Sequence, residues 1–126
     1  MRVLLATGSP DLGHALSLFL SERPIHVVDV VDDSGTLLSQ TADARPDVVV
    51  VDWRLGASES KEMVALLMTA DHPTPVIILS TPQQRPKARA CGAAACATLG
   101  DPPDTLVAAI HEVCSRAVDD TTGPTA

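Results

Sequence analysis

Two groups of residues have the chemistry to form a functional site. Asp52 directly follows four consecutive valines, residues 48–51, so a carboxylate ends a strand that reads as buried on both faces. Thr7, Gly8 and Ser9 follow another apolar run, at a helix start where hydroxyls and backbone N–H groups can hold an anion without a metal. A charge after four valines is costly if it is buried, but it is available for chemistry if the strand opens into a crevice.

The remaining reactive residue types show no catalytic or metal-binding pattern. The four histidines lack the E-x-x-H and H-x-x-x-H spacings of zinc sites. The three cysteines form no C-x-x-C pair, and we expect them to be small buried hydrophobic side chains. The sequence also contains no G-x-S-x-G, Walker or G-x-G-x-x-G motif, so the common hydrolase and nucleotide-binding loops are excluded.

Apolar runs alternate with helix-capping residues along the chain. Ser9 and Ser34 are placed to cap two helices, and Asp101 is placed to cap a last helix that Pro102 begins. Pro86 limits the segment after the fourth strand to a short helix, because it lacks the backbone N–H and clashes with the preceding turn. A further helix follows residue 58, and the predicted strands are residues 2–7, 25–31, 47–52, 76–80 and 93–99.

The predicted elements are a strand and a helix, repeated five times with short connections. Parallel strands need crossover connections, and right-handed crossovers place helices on both faces of the sheet. We therefore expect an α/β fold, a flavodoxin-like (βα)5 doubly wound sheet of five parallel strands in the order 2-1-3-4-5. Residues 1–118 are expected to form one domain, and residues 119–126 a flexible tail or the start of a linker.

The working crevice of an open parallel sheet lies outside the carboxyl ends of its strands. We therefore expect Asp52 to stand half-exposed at the mouth of such a crevice. Ser9, Arg54 and Thr81 are candidate contacts for an anion bound there. The residues that this rule brings to one edge are Thr7–Gly8, Asp52, Ser80–Thr81 and Thr98–Leu99.

Composition limits the classes of partner. The formal net charge is −7 with a pI near 4.8, which argues against direct nucleic-acid binding, because that needs a basic face. No apolar stretch approaches membrane-spanning length, and the N-terminus lacks a signal-peptide pattern, so we expect a cytoplasmic protein without membrane contact. Phe19 and Trp53 are the only aromatic residues, which disfavours a flavin or nucleobase ligand, and Trp53 is expected to pack on the third helix.

Five segments together resemble the receiver domain of bacterial response regulators. They are "MRVLLATGSP", "RPDVVVVDWRL", "TPVIILST", "GAAACATL" and "DPPDTLVAAIHEV", and the similarity extends over roughly residues 1–118. The resemblance implies that Asp52 matches the aspartate that accepts a phosphoryl group from a histidine kinase. It also implies that Ser80 matches the hydroxyl residue that contacts the phosphoryl group and relays the change.

The sequence departs from this family at four positions. The acidic pair that helps to hold Mg²⁺ is replaced by Thr7 and Gly8, the lysine that pairs with the phosphoryl oxygens by Leu99, and the switch aromatic by Cys96. A cation at about 4 Å is worth up to about 4 kcal/mol at an effective dielectric near 20. We therefore expect Mg²⁺ binding to be weak or absent, no resident cofactor, and no ordinary Mg²⁺-dependent phosphorylation of Asp52.

Three functions are consistent with these residues. The first is an atypical, non-enzymatic receiver that regulates signalling or transcription by binding a partner protein or itself through the face of the fourth helix, fifth strand and fifth helix. The second is a working receiver phosphorylated on Asp52, and the third is a flavodoxin-like small-molecule-binding module. The C-terminal segment resembles a receiver entering a linker, so a DNA-binding domain in a longer parent protein is also expected as one arrangement.

Overall fold

The computed structural model describes residues 2–23, 25–53, 64–68, 74–90, 93–98 and 100–122. Residues 64–68 are helical and are named α3 here. The remaining elements, in chain order, are β1 (Arg2–Ala6), α1 (Pro10–Ser21), β2 (His26–Val31), α2 (Ser34–Ala44), β3 (Val48–Asp52), β4 (Val76–Ser80), α4 (Arg85–Ala90), β5 (Ala95–Thr98) and α5 (Pro103–Thr122).

The five strands form one parallel sheet in the order β2-β1-β3-β4-β5, which confirms the predicted fold and strand order. Every residue of β3 and β4 is buried, as the continuous valine and isoleucine runs predict for strands covered on both faces. Leu37 of α2 and Val64 of α3 belong to the apolar cluster on one face. Leu20 of α1 and Ile110 of α5 belong to the cluster on the other face, so the sheet is doubly wound.

The helix starts follow the predicted capping chemistry only in part. Ser9 caps α1, where its hydroxyl accepts a hydrogen bond from the Leu12 N–H at 3.3 Å, as predicted. The cap of α2 is Asp33 rather than Ser34, because the carboxylate of Asp33 accepts from the Thr36 N–H at 2.7 Å. The final helix begins at Pro103, one residue later than predicted, and it continues to Thr122.

The helix α4 is short, as predicted, but the effect predicted for Pro86 is not the cause. This helix has six residues, and Pro86 is its second, a position in the first turn where the missing backbone N–H has no intrahelical acceptor. Strand β5 spans Ala95–Thr98, so it begins two residues later than the predicted strand. The predicted last strand residue, Leu99, lies outside the described residues.

The edge strand β2 is irregular. Its pairing with β1 shifts register between Val3 and Leu4, where the partners change from Val27 to Asp29 and one residue of β2 is passed over. The carboxylate of Asp29 accepts a hydrogen bond from the backbone N–H of the next residue, Val30, at 2.8 Å.

Glycine at position 13 allows α1 to lie close against β2 and the end of β1. A Cβ atom at this position would stand 2.9 Å from Cγ1 of Val30 and 3.3 Å from Cγ2 of Thr7. The first contact is shorter than packed carbon atoms tolerate. The absence of a side chain at Gly13 therefore fixes how closely α1 approaches Thr7, which lies at the candidate site.

Candidate functional site

The Asp52 carboxylate is buried at the carboxyl end of β3, with 1% of the residue exposed. The hydroxyl of Thr7 donates a hydrogen bond to its Oδ2 atom at 2.9 Å. The expectation of a half-exposed carboxylate is therefore wrong. The reason is the pairing of β1 with β3, which sets the residue that follows β1 directly beside the residue that ends β3.

Thr7 is itself held from two sides. Its backbone N–H donates to the Val31 carbonyl of β2 at 2.9 Å, and its hydroxyl oxygen accepts from the Ser9 N–H at 3.1 Å. The residue is 3% exposed, so its hydroxyl is removed from competing water. The start of α1, the end of β1 and the Asp52 carboxylate thus form one hydrogen-bonded chain in which Thr7 is the central member.

The polar groups proposed to hold an anion between Thr7 and Ser9 are engaged within the chain. The Ser9 N–H donates to Thr7, the Ser9 hydroxyl caps α1, and the Thr7 hydroxyl donates to Asp52. Gly8 is exposed beside them. Three of the donors and acceptors that would have to meet an anion there already serve the fold.

The residues beside Asp52 do not fit Mg²⁺. This ion prefers octahedral oxygen coordination and is usually bound by one or two carboxylates with waters and phosphate. The neighbouring strand ends in Thr7 and Gly8, whose side chains bring no carboxylate to Asp52, and the hydroxyl hydrogen of Thr7 is directed at the Asp52 oxygen. Among the described residues no group of three or more His, Cys, Asp or Glu could hold a metal ion.

A second set of polar residues lies at the ends of β4 and β5. Ser80 is fully buried, and it pairs in register with Thr98 of β5. The Arg85 side chain, from the start of α4, donates from Nη1 to the Thr98 hydroxyl oxygen at 3.3 Å. Thr81 is half-buried next to Ser80. Thr98 lies at the strand edge named from the sequence, but Arg85 is not predicted as a site residue, because the family pattern places a cation at the end of β5 and not on the helix between β4 and β5.

Of the remaining predicted site residues, the structure describes Cys96. Cys96 is half-buried, packs against the apolar cluster on the α2 and α3 face and stands opposite Ile78 of β4. Trp53, which is expected to pack on the third helix, is 4% exposed and belongs to the same apolar cluster as Val64 of α3. Arg54 and Leu99 lie outside the described residues.

An apolar pocket of about 140 Å³ opens beside the carboxyl ends of β4 and β5, between α1 and α5. Its described lining includes Leu12 and Leu16 of α1, Leu79 of β4 and Leu106 of α5, but not Thr7, Asp52 or Ser80. A small molecule seated there would meet mainly hydrocarbon, with Thr98 and Asp101 as polar neighbours, and would not touch Asp52. No helix among the described residues is long and apolar enough to span a membrane.

Several solved structures that resemble this chain are receiver domains or regulators of two-component systems. The chemotaxis response regulator CheY4 of Vibrio cholerae matches with a TM-score of 0.76 at 23% sequence identity, over 89% of this chain and 97% of that one. A two-component response regulator of the LuxR family from Aurantimonas gives 0.75 at 23% identity, over 90% and 84% of the two chains. This chain has the receiver-domain fold. In this fold, Thr7 follows β1 and Asp52 ends the central strand β3.

Receiver folds with other inputs are also among the similar structures. A member of a family of redox sensors in the streptococci, which evolved from two-component response regulators, gives a TM-score of 0.80 at 22% identity. The alignment covers 95% of this chain and 54% of that one. No protein-family model and no curated protein matches the sequence. The similarity therefore lies in the fold, and the chemistry must be argued from the residues at the strand ends.

Proposed function

We propose that this chain is an atypical response-regulator receiver domain that acts in signal transduction by protein contacts, without conventional Mg²⁺-dependent phosphorylation of Asp52. The observation that supports this proposal is the buried hydrogen bond from Thr7 to Asp52. Thr7 presents a hydroxyl donor, instead of a second carboxylate, on the side of Asp52 where a divalent cation would have to bind.

Charge opposes phosphorylation of Asp52. An aspartyl phosphate adds about −1.5 to −2 charge, and phosphoryl transfer depends almost entirely on positioning and on neutralising that charge. An incoming phosphoryl group must also reach a carboxylate oxygen in line, but Asp52 is 1% exposed and one oxygen accepts from Thr7. Phosphorylation would break this bond, leave the Thr7 hydroxyl to be satisfied elsewhere and place a new charge beside Thr7, which brings no second carboxylate to hold a neutralising cation.

The proposed output is a protein contact through the face formed by α4, β5 and α5. This face would bind a partner protein or a second copy of the chain, and a longer parent protein would carry a DNA-binding domain after it. Similarity to a LuxR-family regulator supports the longer parent protein. Similarity to redox sensors that evolved from response regulators supports a receiver fold that takes a signal other than phosphorylation.

The test is incubation of the full chain with acetyl phosphate and Mg²⁺, followed by intact-mass measurement and by Trp53 fluorescence. We expect no stable mass increase and no fluorescence change, while a conventional receiver treated in parallel gains a phosphoryl group. A mass increase that is lost in Asp52→Asn would refute the proposal and establish the working receiver instead. A beryllofluoride adduct on Asp52 with bound Mg²⁺ would refute it equally.

A further inference from the structure

The segment that joins β4 to α4 contains three buried polar atoms without a hydrogen-bond partner among the described residues. They are Oγ of Ser80, Oε1 of Gln84 and Nε of Arg85. Buried polar groups in proteins are almost always hydrogen-bonded, so each such atom needs a physical reason. Three of them lie within residues 80–85, and a polar ligand would satisfy them.

The sheet register and one hydrogen bond bring Ser80 and Arg85 to the end of β5, and Gln84 directly precedes Arg85 in the chain. Ser80 pairs with Thr98, and the guanidinium of Arg85 donates to the Thr98 hydroxyl oxygen at 3.3 Å. Ile78 and Cys96, two residues earlier in each strand, pack against the cluster on the α2 and α3 face. Since side chains alternate along a strand, Ser80 and Thr98 lie on that same face, and Arg85 reaches over it.

The charge of Arg85 is not neutralised by a carboxylate of the described chain. Among the described residues Arg85 forms no salt bridge, whereas Arg23 pairs with Asp104 at 3.0 Å. Asp52 ends the strand next to that of Ser80. Val48 and Val50, which share a face with Asp52 by alternation along β3, pack on the α1 and α5 face, opposite to the face of Ser80. The Oδ2 atom of Asp52 accepts from Thr7 on the β1 side. The guanidinium therefore presents positive charge at the end of β5 that an anion can neutralise.

We propose that Ser80, Gln84 and Arg85 form a binding site for a phosphate-class oxyanion, held without covalent attachment and without a divalent cation. The Ser80 hydroxyl and the Nε–H of Arg85 are donors, and the planar guanidinium matches two oxygens of a tetrahedral anion. The Gln84 side chain presents its NH₂ group in place of Oε1 after rotation of its amide. The site goes beyond the proposed function, because it gives the receiver fold a chemical input that does not use Asp52.

The test is an NMR titration of the full chain with inorganic phosphate in the presence of EDTA, at constant ionic strength. We expect saturable shifts of the Ser80, Thr81 and Thr98 amide signals. Ser80→Ala should weaken binding about tenfold, because it removes one hydrogen bond to a charged ligand. Arg85→Gln should weaken it further. Lys87→Gln, which removes the same charge from an exposed position in the same helix, should leave the affinity within about twofold.

Two further arms of the titration establish that the site is independent of Asp52 and which form of phosphate it prefers. Asp52→Asn should bind phosphate as the unchanged chain does, so failure of the phosphorylation proposal and failure of this one give different results. O-phosphoserine, titrated in the same way, distinguishes a phosphate ester from the free ion, because the tighter of the two identifies the source. Dispersed spectra establish that each variant is folded. The proposal is overturned if neither ligand gives saturable shifts, or if binding is unchanged in both Ser80→Ala and Arg85→Gln.

Discussion

Replacement of Thr7 by valine tests the hydrogen bond on which the proposed function depends. Valine keeps the shape of the side chain and removes the hydroxyl that donates to Asp52 at 2.9 Å. A hydrogen bond to a charged group contributes about 1.5–3 kcal/mol, and loss of this one leaves the buried Asp52 oxygen without that donor. We expect the free energy of unfolding to fall by about 2–3 kcal/mol, and the Tm by about 8–12 °C for a domain of this size.

A matched control exists in the same chain. Thr41 is also buried, and its hydroxyl donates to the Leu37 carbonyl at 2.7 Å, a neutral acceptor one helical turn earlier. Thr41→Val removes the same atoms at similar burial, and we expect it to cost about 1 kcal/mol or less. Urea unfolding with unchanged m values measures both costs and separates them from effects on the unfolded chain.

Charge at Asp52 provides the second control. In an Asp52→Asn background the hydroxyl of Thr7 meets a neutral amide oxygen, so Thr7→Val should cost about 1 kcal/mol there. The difference between the two backgrounds is the coupling energy that belongs to the charged bond. If Thr7→Val costs no more than Thr41→Val, with and without the charge at position 52, the argument for a metal-free, hydroxyl-capped carboxylate is wrong.

Three other outcomes follow from the geometry. Gly13→Ala should destabilise the chain, because the new Cβ would lie 2.9 Å from Cγ1 of Val30. In a Val30→Ala background the same substitution should be neutral or stabilising, since the clash is removed and alanine favours a helix. Equal effects on the Tm in both backgrounds would contradict this. Burial raises the pKa of the Cys114 thiol, so its alkylation, followed by peptide mass mapping, should need a higher pH in the folded chain than in urea. The hydrogen bonds from Thr36 lower the pKa of Asp33 below 3.8. Asp33→Ala should therefore lower the Tm by its full amount above that pH, and the difference from the unchanged chain should disappear as the pH falls through the lowered pKa. A difference in Tm that persists in acid would contradict the capping role.

The fold could be predicted because its signals are local. Four valines without alternation indicate a strand covered on both faces, and the alternation of such runs with capped helices indicates a parallel sheet. Ser9 is correctly predicted as a cap because a serine directly before a proline is typical of a helix N-terminus. Asp33 was missed, since the adjacent Ser34 is an equally good capping residue and only the backbone conformation decides between them.

The candidate site was predicted less well because its contacts join residues far apart in sequence. The burial of Asp52 depends on Thr7, 45 residues earlier, and on a strand pairing that sequence spacing alone does not specify. The hydrogen bond from Arg85 to Thr98 depends on the direction in which a six-residue helix leaves β4. The residues that match a family motif could therefore be named from the sequence, but their partners could not.

The irregular pairing of β2 also affects how copies of this molecule can meet. An exposed strand edge invites another chain to add to the sheet, and a regular row of free backbone groups is what makes such addition easy. In β2 the row is broken by the register shift, a charged residue stands on it, and the Val30 N–H is occupied by Asp29. This border is a poor template for sheet extension, so we expect no second chain to add to the sheet along β2.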